Sequence, residues 1–150
     1  MLREEFINAK RIVIKLGTNV LRNSEGEVAI SRIYSFIEDM AKLVKQGKEV
    51  ILVTSGAVGL GKKKLNLEST AEDGVKQACA AVGQSRLMSF YENGFGIYDV
   101  PIAQILLTED DFSLRYRYLS LRTTLNKILE FGVVPIINQN DTVSTIEMNP

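Results

Sequence analysis

Four short apolar runs alternate with three stretches in which apolar residues recur at helical spacing. The first run, Arg11-Ile12-Val13-Ile14-Lys15-Leu16, is crowded with branched aliphatic residues and reads as a strand buried on both faces. A polar turn through Arg22–Glu27 leads to Ser31, a good N-cap. After it Ile33, Phe36, Ile37, Met40, Leu43 and Val44 keep the period of a helix until Gly47, a natural stop. The second strand spans Glu49 to Thr54, and Ser55–Gly61 reads as a long, Gly-rich loop. A second helix is predicted from about Ala71 to Glu92, with Val75, Cys79, Val82 and Leu87 inward and Ala78, Ala80, Ala81 and Gly83 small enough for close packing. The third strand runs from Val100 to Leu107. A third helix covers Ser113 to Phe131, with Leu114, Tyr118, Leu121, Leu125 and Ile128 on one face and Gly132 closing it. The last strand, Val133 to Ile137, runs directly into Asn138-Gln139-Asn140-Asp141.

Alternation of this kind gives parallel strands joined by right-handed crossovers, a layered α/β domain. Apolar edges of so small a sheet need cover. At 150 residues the chain makes about one domain with a real core. Lysine plus arginine balances aspartate plus glutamate at 18 each, so no basic field argues for nucleic acid. No apolar stretch reaches the ~20 residues of a membrane span. The start, Met1–Phe6, lacks the layout of a signal peptide, so a cytoplasmic protein is expected. Cys79 is the one cysteine and reads as a small buried hydrophobe. Histidine is absent, which excludes Ser–His and Cys–His nucleophile systems and histidine-based zinc sites.

In open α/β sheets ligands bind outside the carboxyl ends of the strands. Three such ends carry candidate chemistry. Lys15, followed by Gly17-Thr18, suits an anion such as a phosphate, and would otherwise be an edge-strand lysine with its head in water. Thr54-Ser55-Gly56-Ala57 supplies hydroxyls and closely spaced N–H groups able to form an anion-binding nest, or an ordinary strand-to-helix turn. Asn138–Asp141 supplies amides and a carboxylate, residue types that also serve in turns. Together these ends could hold a zwitterion, its amine against Asp141 and its anionic groups near Lys15 and the nest. Gly56–Lys63 matches a P-loop except at the last position, where Lys63 replaces the magnesium-binding hydroxyl. Lys62, Lys63 and Lys64 therefore read as a solvated basic turn.

Five segments in order carry a family likeness: Val13–Thr18, Val53–Ala57, Ala80–Gln84, Gln104–Thr108 and Val134–Asp141. From about Arg11 to Glu147 the chain resembles the amino acid kinase family, in particular its members that phosphorylate glutamate at the start of proline synthesis. The resemblance implies a three-layer α/β/α fold with a mainly parallel sheet, of which residues 1–150 supply the N-terminal, amino-acid-binding part. It implies ATP with Mg2+, L-glutamate as substrate, proline as a feedback inhibitor and a homo-oligomer. Residue by residue, it implies that Lys15 contacts the ATP phosphates and stabilises the transferring phosphoryl group, with Gly17 and Thr18 lining the phosphate path. Ser55, Gly56 and Ala57 would bind glutamate, Asp141 its amine, and Asn138 would lie near it.

Gln139 departs from the glutamate usual at its position. The family's Gly-Asp-Asn-Asp segment, its nucleotide-binding half and a frequent PUA domain do not occur in these residues, and Asn149, between Met148 and Pro150, does not match the first of these. Alone, the chain is therefore expected to lack kinase activity. Rival readings are a kinase acting on acetylglutamate, aspartate, a nucleoside monophosphate or carbamate, and a non-catalytic amino-acid-binding module.

Overall fold

The computed structural model describes residues 7–21, 28–72 and 74–139. Among the described residues four strands form one sheet: β1 (Arg11–Leu16), β2 (Glu49–Thr54), β3 (Ile102–Leu107) and β4 (Val134–Gln139). Five helices join them: α1 (Ile30–Lys45), α2 (Ala57–Lys64), α3 (Val75–Gly96), the single turn α4 (Asp110–Ser113) and α5 (Arg115–Glu130). The strand order is β1-β2-β4-β3, with every pair parallel.

That order settles the layers. The crossovers from β1 to β2 and from β2 to β3 step across the sheet in one direction, whereas β3 to β4 steps back. Right-handed crossovers therefore put α1 and α3 on one face and α5 on the other, giving α/β/α. The register sorts the strands accordingly. Ile14, Leu52, Ile136 and Gln104 stand in one row toward α1 and α3. Ile33, Ile37, Met40 and Ala41 of α1 and Leu87, Tyr91 and Phe95 of α3 close over that face with Val50, Leu52, Val134 and Ile136. Each large aliphatic side chain buried there contributes about 1.5–3 kcal/mol.

Several sequence expectations shift. Helix α1 begins at Ile30 with Ala29 at its N-cap, and Ser31 lies inside the first turn rather than capping it. Its end is as expected, since Gly47 takes the left-handed conformation (φ +82°) after Gln46, as Gly132 (φ +71°) does after Phe131. The second long helix starts four residues later and ends four later than expected, which adds Phe95 to it; Tyr91 and Phe95 are core residues, while Val82, expected to face inward, is exposed. The third helix is continuous but starts at Arg115, two residues later than expected, and the extended Leu114 (ψ 113°) separates it from the single turn α4. Asp111 anchors the start of α4, accepting hydrogen bonds from the backbone N–H of Thr108 at 2.7 Å and from its hydroxyl at 2.9 Å, which also hold its carboxyl below the usual range. On α5 only Leu129 is buried; Leu114 and Tyr118 are exposed.

The Gly-rich loop is largely the helix α2. A Cβ at Gly61 would overlap the carbonyl oxygen of Cys79, and one at Gly83 would overlap that of Ala57. These glycines serve backbone-to-backbone contact between α2 and α3, not a turn, and Lys62–Lys64 form the last turn of α2. Cys79 is fully buried at that crossing, as expected.

The expectation that β1 is buried on both faces is overturned among the described residues. It is an edge strand, and Val13 is 62 % exposed on the α5 side. Arg11 donates to Glu49 at 2.7 Å across the β1–β2 pair, holding the Glu49 carboxyl below its usual range.

Candidate functional site at the carboxyl edge of the sheet

The parallel register brings the strand ends level. Leu16 pairs with Thr54, and Val53 pairs with Ile137, so Asn138 follows beside Thr54. Leu16, Thr54 and Asn138 turn toward α1 and α3. Lys15 pairs with Val53 and points to the opposite face, where it is exposed at the end of the edge strand. Lys15 thus belongs to the same sheet edge as the other candidates but starts from the other side of it.

Beyond β1 the chain turns at once: Val20 N–H donates to Gly17 O at 3.0 Å and Leu21 N–H to Thr18 O at 3.2 Å. This turn sets the Thr18 hydroxyl 3.1 Å from the Ser55 hydroxyl, joining the first two strand ends. Gly56 follows with φ +104°, a conformation open to glycine, and caps α2 without a side-chain bond. The first intrahelical bond runs from Leu60 N–H to Gly56 O at 3.1 Å. The N–H groups of Ala57, Val58 and Gly59 therefore open the helix, the arrangement that favours an anion. The Ala57 side chain itself is buried in the core, which leaves only its backbone to face the strand end.

Behind this edge lies a buried polar layer. The Thr54 hydroxyl sits 2.7 Å from the hydroxyl of Tyr91, which is fully buried. Burial pushes the Tyr91 pKa up to about 12, while the Thr54 bond acts the other way. Asn138 is 5 % exposed and belongs to β4, as does Gln139, so these two do not form the loop expected from the sequence. Asn138 Nδ2 donates to Gln84 Oε1 at 2.8 Å, and its Oδ1 accepts the Gln139 N–H at 2.9 Å.

Neither Tyr91 nor Gln84 received a role from the sequence. Gln84 had a signal, as a polar residue ending a helical run of small ones; Tyr91 had none beyond helical spacing. Asp141, the expected partner of an amine, lies outside the described residues, as does Asn140.

Among the described residues no three Cys, Asp or Glu side chains converge as a metal site, and no helix is long and apolar enough to cross a membrane. Hydroxyls, amides, an opening helix and a lysine thus share the carboxyl edge of a parallel α/β sheet, the edge at which ligands bind in open sheets of this kind. The chain belongs to the amino acid kinase family, whose profile matches residues 10–148. It is similar to the glutamate 5-kinase of Desulfotalea psychrophila, 49 % identical over 148 residues that make up 97 % of this chain and 39 % of that one. It is also similar to the glutamate 5-kinase of Pelobacter propionicus, 43 % identical over 99 % of this chain and 40 % of the relative. That of Marinomonas sp. is 45 % identical over 98 % and 40 %. The chain spans about two fifths of the length of these curated relatives.

Proposed function

We propose that this chain is the amino-acid-binding part of a kinase that transfers the γ-phosphoryl group of ATP to the γ-carboxylate of L-glutamate. The product is L-glutamyl 5-phosphate, the first intermediate of proline biosynthesis. The observation that carries this reading is identity of 43–49 % to glutamate 5-kinases across nearly the whole chain. The strand-end groups agree with it chemically.

A γ-carboxylate is already ionised at neutral pH and attacks phosphorus without a base, so a chain lacking histidine is no obstacle. Such a transfer relies on positioning and on neutralising charge. In this reading Ser55, held by Thr18, and the backbone N–H groups from Gly56 and Ala57 onward receive the substrate's anionic groups. Asn138 lines its pocket and Asp141 takes its amine. Lys15, with Gly17 and Thr18 beside it, meets the phosphate oxygens as charge develops. Mg2+ would enter with the ATP phosphates and offset their charge.

The nucleotide itself is held by the remaining part of the kinase, outside residues 1–150. Cytoplasmic location, homo-oligomerisation and feedback inhibition by proline belong to the same reading. The test is formation of glutamyl hydroxamate from L-glutamate, ATP and hydroxylamine by the complete enzyme. Failure to form it from L-glutamate would overturn the proposal.

A further inference from the structure

The pairing of Asn138 with Gln84 leaves a definite remainder. A backbone N–H can only donate, so the Gln139 N–H fixes Oδ1 as the Asn138 atom facing it at 2.9 Å. Asn138 Nδ2 must then be the atom facing α3, and it donates to Gln84 Oε1 at 2.8 Å. That bond in turn fixes which end of the Gln84 amide points away. Gln84 Nε2, a donor with two hydrogens, is buried and meets no acceptor among the described residues. A buried donor without an acceptor is costly and rare in folded proteins. The chain of constraints therefore ends in N–H groups at the carboxyl edge, and N–H groups without acceptors suit an anion.

We propose that Gln84 is a further substrate-binding residue whose Nε2 donates to a carboxylate oxygen of the bound amino acid, with Asn138 as the positioning residue that sets its amide. This rests on the amino-acid-kinase reading above and adds to it a donor on helix α3. It also changes the part played by Asn138, whose own amide is largely occupied in holding Gln84 and the Gln139 backbone.

The complete enzyme carrying this segment tests the point with two substitutions. Gln84→Glu keeps an oxygen for Asn138 but replaces the donor by a negative charge; Gln84→Met removes both groups at similar length. Wild-type activity toward L-glutamate is measured first, and its absence would defeat the underlying reading rather than this inference. With that activity in hand, the expected result is a rise of about 10–100-fold in KM for L-glutamate in both variants, the scale of a lost hydrogen bond to a charged group. Gln84→Glu should be the worse of the two, with KM for ATP unchanged and the melting temperature of Gln84→Glu near that of the wild type. Titration of L-glutamate into wild-type enzyme should also shift the side-chain amide NMR signal of Gln84. A normal KM for L-glutamate in Gln84→Glu would overturn the inference. So would a loss of thermal stability in both variants without a change in KM, which would mean that the acceptor is part of the protein itself.

Discussion

The hydroxyls of Thr18 and Ser55 lie 3.1 Å apart across 37 residues of sequence, joining the loop that leaves the edge strand β1 to the one that leaves β2. The contact depends on the parallel register that sets Leu16 level with Thr54. In the proposed function it ties a residue of the phosphate path, Thr18, to a residue of the amino-acid site, Ser55. Thr18→Val keeps the shape and deletes the hydroxyl. In the complete enzyme it should raise KM for L-glutamate several-fold by freeing Ser55, at a stability cost of about 1 kcal/mol, the usual net worth of one hydrogen bond. Initial rates over a glutamate series, with a urea titration alongside, check both halves.

Lys15 is exposed at the end of β1, so its loss should hardly affect folding. Lys15→Met should nevertheless lower kcat by about 10²–10³, as expected for a group that acts where charge develops in the transition state. A near-normal kcat with an unchanged melting temperature would make Lys15 a solvated edge-strand residue.

The α2–α3 crossing admits no side chain at Gly61 or Gly83. Alanine at either position should destabilise the fold by about 1–3 kcal/mol or more, because backbone rather than a flexible side chain must move. Gly96→Ala is the control: a Cβ there meets nothing within 4 Å. It should leave the urea midpoint unchanged or slightly raised.

Tyr91 supplies a pH signature. Its folded-state pKa, pushed up to about 12 by burial, lies above the ordinary value near 10. The unfolded chain therefore releases the phenolic proton first. The stabilising contribution is complete below about pH 10 and is lost as pH rises toward 12. Melting temperature should fall more steeply over that window in the wild type than in Tyr91→Phe. At neutral pH the same variant should be less stable by about 1–3 kcal/mol, because the buried Thr54 hydroxyl loses its 2.7 Å partner.

Much of the scaffold was legible because its signals are local. Crowded Val and Ile marked all four strands, and Gly47 and Gly132 marked two helix ends by the backbone conformation they adopt. What stayed hidden depended on partners distant in sequence. Gly61 and Gly83 look like loop and helix glycines until each is seen against the backbone of the other helix. Val13 looks like a core residue, yet its burial depends on neighbours that a run of aliphatic residues cannot reveal. Asn138 looked like part of a polar loop because its type favours turns; the bond to Gln84, 54 residues away, accounts for a buried amide inside a strand. The position of Lys15 at a strand end was readable, whereas the face it takes follows from pairing with Val53.

The central claim is that these strand ends select L-glutamate for γ-phosphorylation. The most direct measurement is hydroxamate formation by the complete enzyme with ATP and hydroxylamine, comparing L-glutamate, N-acetyl-L-glutamate and L-aspartate in wild type and Ser55→Ala. The account predicts turnover of L-glutamate well above the other two, and a rise in KM for L-glutamate in Ser55→Ala with ATP binding unchanged. Preferred turnover of L-aspartate or N-acetyl-L-glutamate, or an unaltered KM for L-glutamate in Ser55→Ala, would contradict it.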